Sequence, residues 1–168
     1  VLFRSMGMDM IKNLVSVVCL DEDGEIRSHT KEELNAQYRS IPDLAHNFVL
    51  QAVFEAQPAP AEEMERLLAA ARAKRKLSQP VGASAGCIFK NPEEIPAGRL
   101  IDELGLKNAC VGDACVSDVH ANFIINRGHA RARDITILID MIRKEAMENR
   151  GIDLKSEAQV IGDREPQF

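Results

Sequence analysis

Two proline-bearing breaks constrain the fold of this chain more than any other feature. The first is QPAP, residues 57–60, and the second is SQPVGASAG, residues 78–86. Proline removes a backbone donor and disfavours helix at the residue before it, and glycine adds conformational freedom. Neither stretch can carry a helix or a central strand through. Between them, AEEMERLLAAARAKRK opens acidic and closes basic, as a helix macrodipole favours. Met64, Leu67, Leu68 and Ala71 give that helix an apolar stripe. The chain therefore reads as three parts: residues 1–57, a connecting helix and linker over 58–80, and residues 81–168.

Before the first break, LVSVVCL (Leu14–Leu20) is followed by the turn signal DEDG and by EIRSH, which predicts a hairpin. Thr30, with Glu33 three positions later, predicts a short capped helix. NFVLQAVFEA, residues 47–56, alternates, so that Phe48, Leu50, Ala52 and Phe54 can share one face of a strand. After the second break, AGRLIDELGL predicts a short helix stopped at Gly105, and ANFIIN predicts a strand. From Arg131 to Arg150, Ile135, Leu138, Ile139, Ile142 and Ala146 fall at helical spacing, and GID closes the helix. EAQVIG, residues 157–162, predicts a last strand. Strands and helices mix without a regular βαβ repeat, so the fold class is α+β.

Length allows one domain, or a small domain with part of another. A formal net charge of −5 argues against general nucleic-acid binding but leaves room for an anionic ligand held by a few Arg and Lys side chains. No apolar run approaches the roughly 20 residues a membrane helix needs, and no secretory leader is visible. The expectation is a cytoplasmic protein whose four cysteines, Cys19, Cys87, Cys110 and Cys115, are reduced, with no disulfide framework.

Read singly, the candidate sites are modest. Cys110, Cys115 and His120 are separated by gaps that do not match structural zinc, and they read as core residues with no metal. Gly82 and Gly86 read as a flexible turn, since no Gly-Lys-Ser/Thr or dinucleotide triplet accompanies them. Cys87, in SAGCIFKNP, is open to four readings, a core thiol, a metal ligand, a nucleophile or a proton donor; a nucleophile would need one of His46, His120 or His129 beside it, and taken alone Cys87 reads as a core thiol. Arg39 and Glu157 read as surface charges, although Glu157 opens an apolar segment where it could be partly buried.

Taken in order, QYR, QP, SAGCIFKNP, AGRLIDELGLK, GDACVSDVHANFIINRGHARARD and SEAQVIGD resemble the family of UDP-N-acetylenolpyruvoylglucosamine reductases, the MurB family. The resemblance runs from about Met6 and is densest between Gln79 and Gly162. It implies a flavoenzyme of peptidoglycan precursor synthesis. In that family NADPH reduces FAD, and the flavin reduces the enolpyruvyl double bond of a UDP-sugar. Residues 1–57 would then be the end of an FAD-binding domain, and 81–168 a small α+β substrate-binding domain. The compact arrangement after HANFIIN resembles the family's shorter variety.

The resemblance also assigns roles. Arg39 matches the arginine that holds the substrate carboxylate, for which a planar guanidinium is suited. Glu157 matches a late glutamate that stabilises the enol form, and Cys87 stands where the family places its proton donor. A free thiol titrates near 8.5, so it is mostly protonated at neutral pH and yields its proton more readily than an alcohol. Tyr38, Lys76, Asn91 and Arg99 are implied substrate-side residues. The implied partner is the UDP-sugar, with no nucleic acid and no membrane. The family's preceding glycine-rich FAD portion is missing, and VLFRS does not resemble it. Arg131 stands where the family often has a small hydroxyl residue, which would cost about 1 kcal/mol of helix capping if nothing replaces it. Two rival readings are a non-catalytic UDP-sugar-binding module and a cysteine hydrolase.

Overall fold

The computed structural model describes residues 4–5, 8–38 and 40–161. The chain divides into two compact units, Val1–Ala71 and Arg72–Phe168, with the division falling inside the connecting helix. Their architecture is α+β, with antiparallel sheets and separate helices.

In the first unit, two short strands, β1 (Arg4–Ser5) and β2 (Met8–Asp9), pair antiparallel. β3 (Leu14–Leu20) then turns through Gly24 into β4 (Ile26–Thr30), the expected hairpin. Gly24 adopts φ +81°, a conformation that favours glycine and makes the DEDG turn. The predicted helix after Thr30 is a single 3-10 turn, Lys31–Glu33, in which the Glu33 carboxylate accepts the Thr30 N–H at 2.7 Å. β5 (Phe48–Phe54) pairs with the other edge of β3, giving the order β4-β3-β5. Leu14, Val17 and Leu34 form a small buried cluster with Ile11, Ile41 and Leu44 packed against it.

β5 departs from its expected amphipathic role. All seven of its residues are exposed, with Phe48 at 74 % and Leu50 at 55 %, so neither face is covered among the described residues. The connecting helix α1 (Ala61–Ser78) forms with its acidic start and basic end, but its stripe of Met64, Leu67 and Leu68 is also exposed.

In the second unit, β6 (Ala83–Cys87) leads to α2 (Ala97–Glu103), then to the hairpin β7 (Cys110–Val111) and β8 (Ala114–Val116), then to β9 (Phe123–Asn126) and α3 (Ala132–Arg150). The sheet order is β6-β9-β8-β7, all antiparallel. Ile88, Phe89, Leu100, Ile101, Val116, Ile124, Leu138, Ile142 and Leu154 belong to one buried cluster, which joins the sheet to both helices. The periodicity read in α3 is the cause: Leu138, Ile139, Ile142 and Ala146 are its buried residues, and Gly151 ends it in the left-handed conformation at φ 67°. At the other end Asp134 compensates for Arg131, because its carboxylate accepts the Arg131 N–H at 2.9 Å.

Two expectations are corrected here. Cys110 and Cys115 are joined in a disulfide rather than reduced. The reason is local: a two-residue turn at Gly112-Asp113 closes β7 on β8, which sets the two cysteines directly opposite with Cα atoms 4.1 Å apart. Cys19 and Cys87 take no part in a disulfide. Secondly, EAQVIG forms no strand over residues 157–161, and Gly162 lies outside the described residues. Ser156 makes a single bridge to Phe89, after which the N–H groups of both Glu157 (2.7 Å) and Ala158 (3.3 Å) converge on the Ile88 carbonyl. Two consecutive donors on one acceptor cannot extend a ladder, whose donors must alternate between its two sides.

Candidate functional site

Cys87 ends β6, opposite Phe123 on β9, just after a register shift at Gly86. Gly86 takes φ +80° within the irregularity between Ser84 and Cys87, after which Cys87 rejoins the ladder. The thiol is half-buried and lines an open cleft of about 340 Å3 that also includes Asn91, Arg99, Lys107 and His120. The cleft lies wholly within the second unit.

Buried hydrogen bonds hold its floor. Asn122, almost fully buried, accepts the Phe89 N–H through Oδ1 (2.9 Å) and donates through Nδ2 to the Phe89 carbonyl (2.8 Å). Its own carbonyl accepts the Ile88 N–H at 2.9 Å. Asn122 thus continues the sheet beyond the end of β6 and fixes the two residues that follow Cys87. Since the Ile88 carbonyl in turn accepts the Glu157 N–H, the backbone brings Cys87 and Glu157 to adjoining segments, and Glu157 is half-buried there.

The walls supply mainly donors. Asn91 Oδ1 accepts the N–H of Ala97, the first residue of α2, at 3.0 Å, which commits the oxygen and leaves the amide NH2 as a donor. Arg99 pairs with Glu103 one turn along α2 at 2.8 Å, and Glu103 also meets Arg150 of α3 at 3.2 Å. The hydrogen bond from Arg99, together with the charges of both guanidinium groups, holds Glu103 below the usual carboxylate range. Lys107 pairs with Asp102, also in the cleft, at 2.7 Å. The imidazole of His120 is held below its usual pKa, chiefly by burial and further by the Lys107 ammonium. A cleft with two cations, an amide donor and a thiol suits an oxygen-rich anionic ligand beside a proton donor.

The structure therefore brings together Cys87, Asn91 and Arg99 in one cleft and sets Glu157 on a segment beside Cys87. Lys76 is not among the residues that line that cleft, and Tyr38 belongs to the first unit. Tyr38 is exposed in a turn of the first unit, and Lys76 is exposed in the last turn of α1. Arg39 lies outside the described residues. Lys107, Asp102 and Gly98 also line the cleft without any motif that marks them, and the sequence marks His120 only as a metal ligand or a base. The available signal was Gly98 itself, a glycine in the first turn of a helix, where alanine is the better helix former.

Residues 77–161 match the family described as UDP-N-acetylenolpyruvoylglucosamine reductase, C-terminal domain, which is half of this chain. The chain belongs to this family. A reductase of this name from Coxiella burnetii (strain Dugway 5J108-111) is 35 % identical over 159 residues, covering 94 % of the chain and 50 % of that protein. One from Agathobacter rectalis is 38 % identical over 153 residues, covering 89 % and 48 %. The crystal structure of the UDP-N-acetylenolpyruvylglucosamine reductase from Thermus caldophilus superposes with a TM-score of 0.80 at 36 % identity, covering 94 % of this chain and 56 % of that one. The chain spans about half the length of the curated relatives it matches.

The fit of the family's cofactor can be tested on the first unit. Five large apolar side chains, Phe48, Val49, Leu50, Val53 and Phe54, are exposed on β5, and Gly24 is the first unit's one positive-φ glycine among the described residues. A flavin diphosphate needs several convergent backbone N–H groups or cations. The described residues of the first unit do not furnish that cradle.

Proposed function

We propose that this chain supplies the substrate side of a UDP-N-acetylenolpyruvoylglucosamine reductase, an NADPH- and FAD-dependent oxidoreductase that forms UDP-N-acetylmuramate for peptidoglycan in the cytoplasm. The observation that carries the reading is Cys87 on the wall of a donor-lined cleft, inside the segment that matches the family; the resemblance of SAGCIFKNP implies a proton donor there. Family membership supports the reductase activity. The missing cradle, the uncovered β5 face and the exposed stripe of α1 support a further portion of FAD-binding domain as the first unit's partner. Among the described residues no helix is long and apolar enough to cross a membrane.

On this reading the chain's own residues act on the substrate. Asn91 and Arg99 take the charged end of the UDP-sugar in the cleft. When the enolpyruvyl bond is reduced, the carbon next to the carboxylate becomes electron-rich. Cys87 gives it a proton: the S–H bond breaks, a C–H bond forms, and the thiolate left behind regains its proton from solvent. Arg39, and Glu157 when it carries its proton, stabilise the charge that spreads into the carboxylate, an interaction that strengthens toward the transition state.

The test is Cys87→Ala in a version of the protein carrying the complete FAD-binding domain. Flavin reduction by NADPH should be nearly unchanged, while transfer to the enolpyruvyl substrate should slow by about 10²-fold or more. Cys87→Ser should keep much of the activity. Unchanged transfer in the alanine variant would remove Cys87 from the reaction.

A further inference from the structure

His120 is held from several sides, and one of its atoms is left over. Fully buried Ser117 accepts the N–H groups of Val119 (3.1 Å) and His120 (3.3 Å) on its Oγ, which fixes the loop between β8 and β9. The His120 carbonyl accepts the Phe123 N–H at 3.0 Å. The ring meets Phe123 edge-on with centroids 5.0 Å apart, and its Nδ1 accepts the Asn122 N–H at 3.2 Å.

An imidazole whose Nδ1 accepts carries its proton on Nε2 when neutral. Neutral is the favoured form here, because burial and the Lys107 ammonium both oppose protonation. Nε2–H has no hydrogen-bond partner among the described residues, although the ring lines the cleft.

The neighbouring helix leaves room for this ring. A Cβ added to Gly98 would lie 2.7 Å from His120 Cε1, closer than side chains tolerate. Gly98 does not need positive φ, so its conformation would suit alanine, the better helix former. The glycine serves the imidazole. A ring wanted only for packing could be any aromatic residue, whereas a ring with one nitrogen engaged presents a single aimed donor.

We propose that His120 is a ligand-binding residue of this cleft, its Nε2–H donating to a diphosphate oxygen of the UDP-sugar beside Lys107. The proposal rests on the UDP-sugar reading above. The other charged groups facing the cleft are Arg99 and the Asp102 carboxylate that pairs with Lys107, with the Cys87 thiol nearby. The Lys107 ammonium, close enough to oppose protonation of His120, suits a phosphate better than a sugar hydroxyl.

The test is calorimetric titration of the 168-residue chain with UDP, UDP-N-acetylglucosamine and uridine, alongside imidazole-nitrogen NMR. Wild-type protein should show an unprotonated Nδ1 and an Nε2 resonance that moves on adding UDP. His120→Phe keeps the ring and loses the donor, and should weaken UDP about tenfold, the scale of one hydrogen bond to a charged group. His120→Gln, which retains an N–H donor, should recover most of that loss, and Gly98→Ala should weaken UDP by displacing the ring. Uridine binding should not respond to His120→Phe. UDP bound equally by wild type and His120→Phe would overturn the role of His120 and leave the cleft reading standing. A loss seen with UDP-N-acetylglucosamine and not with UDP would overturn the assignment to the diphosphate. Failure of wild type to bind any of the UDP compounds would overturn the UDP-sugar reading, and this inference with it.

Discussion

The two units of this chain spend similar apolar sequence in opposite ways. In the second, α3 and the sheet bury their periodic positions on one another, and Leu100, Val116 and Leu138 are completely inaccessible. In the first, β5 carries Phe48, Val49, Leu50, Val53 and Phe54 on a strand with every residue exposed. The same side-chain types are a core in one place and an open surface in the other. What separates them is whether the covering element lies within the described residues, not hydrophobicity. Burial of apolar area is what stabilises a unit, at roughly 25 cal/mol per Å2. The second unit is therefore the one that can hold a defined cleft.

The largest contrast should appear between two phenylalanines. Phe89→Ala removes a fully buried ring from the core and should cost about 3–5 kcal/mol in urea denaturation. Phe48→Ala, on β5, should change stability by less than about 0.5 kcal/mol. Similar losses at both sites would mean that β5 is covered in solution, and the contrast would fail.

A smaller effect belongs to the hairpin. Reducing Cys110–Cys115, or replacing both residues by serine, should lower the midpoint of the second unit by the equivalent of about 2 kcal/mol, as expected for a short closed loop. No change on adding a dithiol reductant would show that the staple does not constrain the unfolded chain.

The smallest effect is a pH dependence. His120 has its pKa lowered in the fold, so the unfolded chain binds the proton more readily than the native one does. Its contribution to stability is fully present above the usual histidine value of about 6.5 and is lost as pH falls through the lower folded value. Denaturation measured across that range should lose this slope in His120→Phe. A slope of the opposite sign would reverse the assignment of a neutral imidazole.

Much of this contrast could be read in the sequence, and the residues show why part of it could not. The α3 helix was legible because Leu138, Ile139, Ile142 and Ala146 repeat at helical spacing and Gly151 stops them. Cys87 and Asn91 are singled out by the resemblance of SAGCIFKNP to the family's motif, and both line one cleft. β5 was legible as a strand, but alternation does not reveal whether a partner layer is present. The disulfide was hidden because it depends on the register of a two-residue turn, and a gap of four residues does not report that. The last segment misled because Glu157 and Ala158 both donate to Ile88, a convergence that an apolar run does not encode. His120 was visible as a residue but not as an aimed donor, since its direction comes from Asn122, Phe123 and the space at Gly98.

The central proposal is that the second unit is a folded, ligand-binding body, while β5 of the first is uncovered among the described residues. Hydrogen exchange followed by mass spectrometry, with and without UDP-N-acetylglucosamine, tests it most directly. The slowest amides should lie in β8, β9 and α3, with β5 and α1 exchanging fast. Ligand should slow the segments around Cys87–Asn91, Ala97–Lys107 and Val119–Asn122 and leave residues 48–71 unchanged. Slow exchange in β5, or protection by ligand confined to the first unit, would contradict the account.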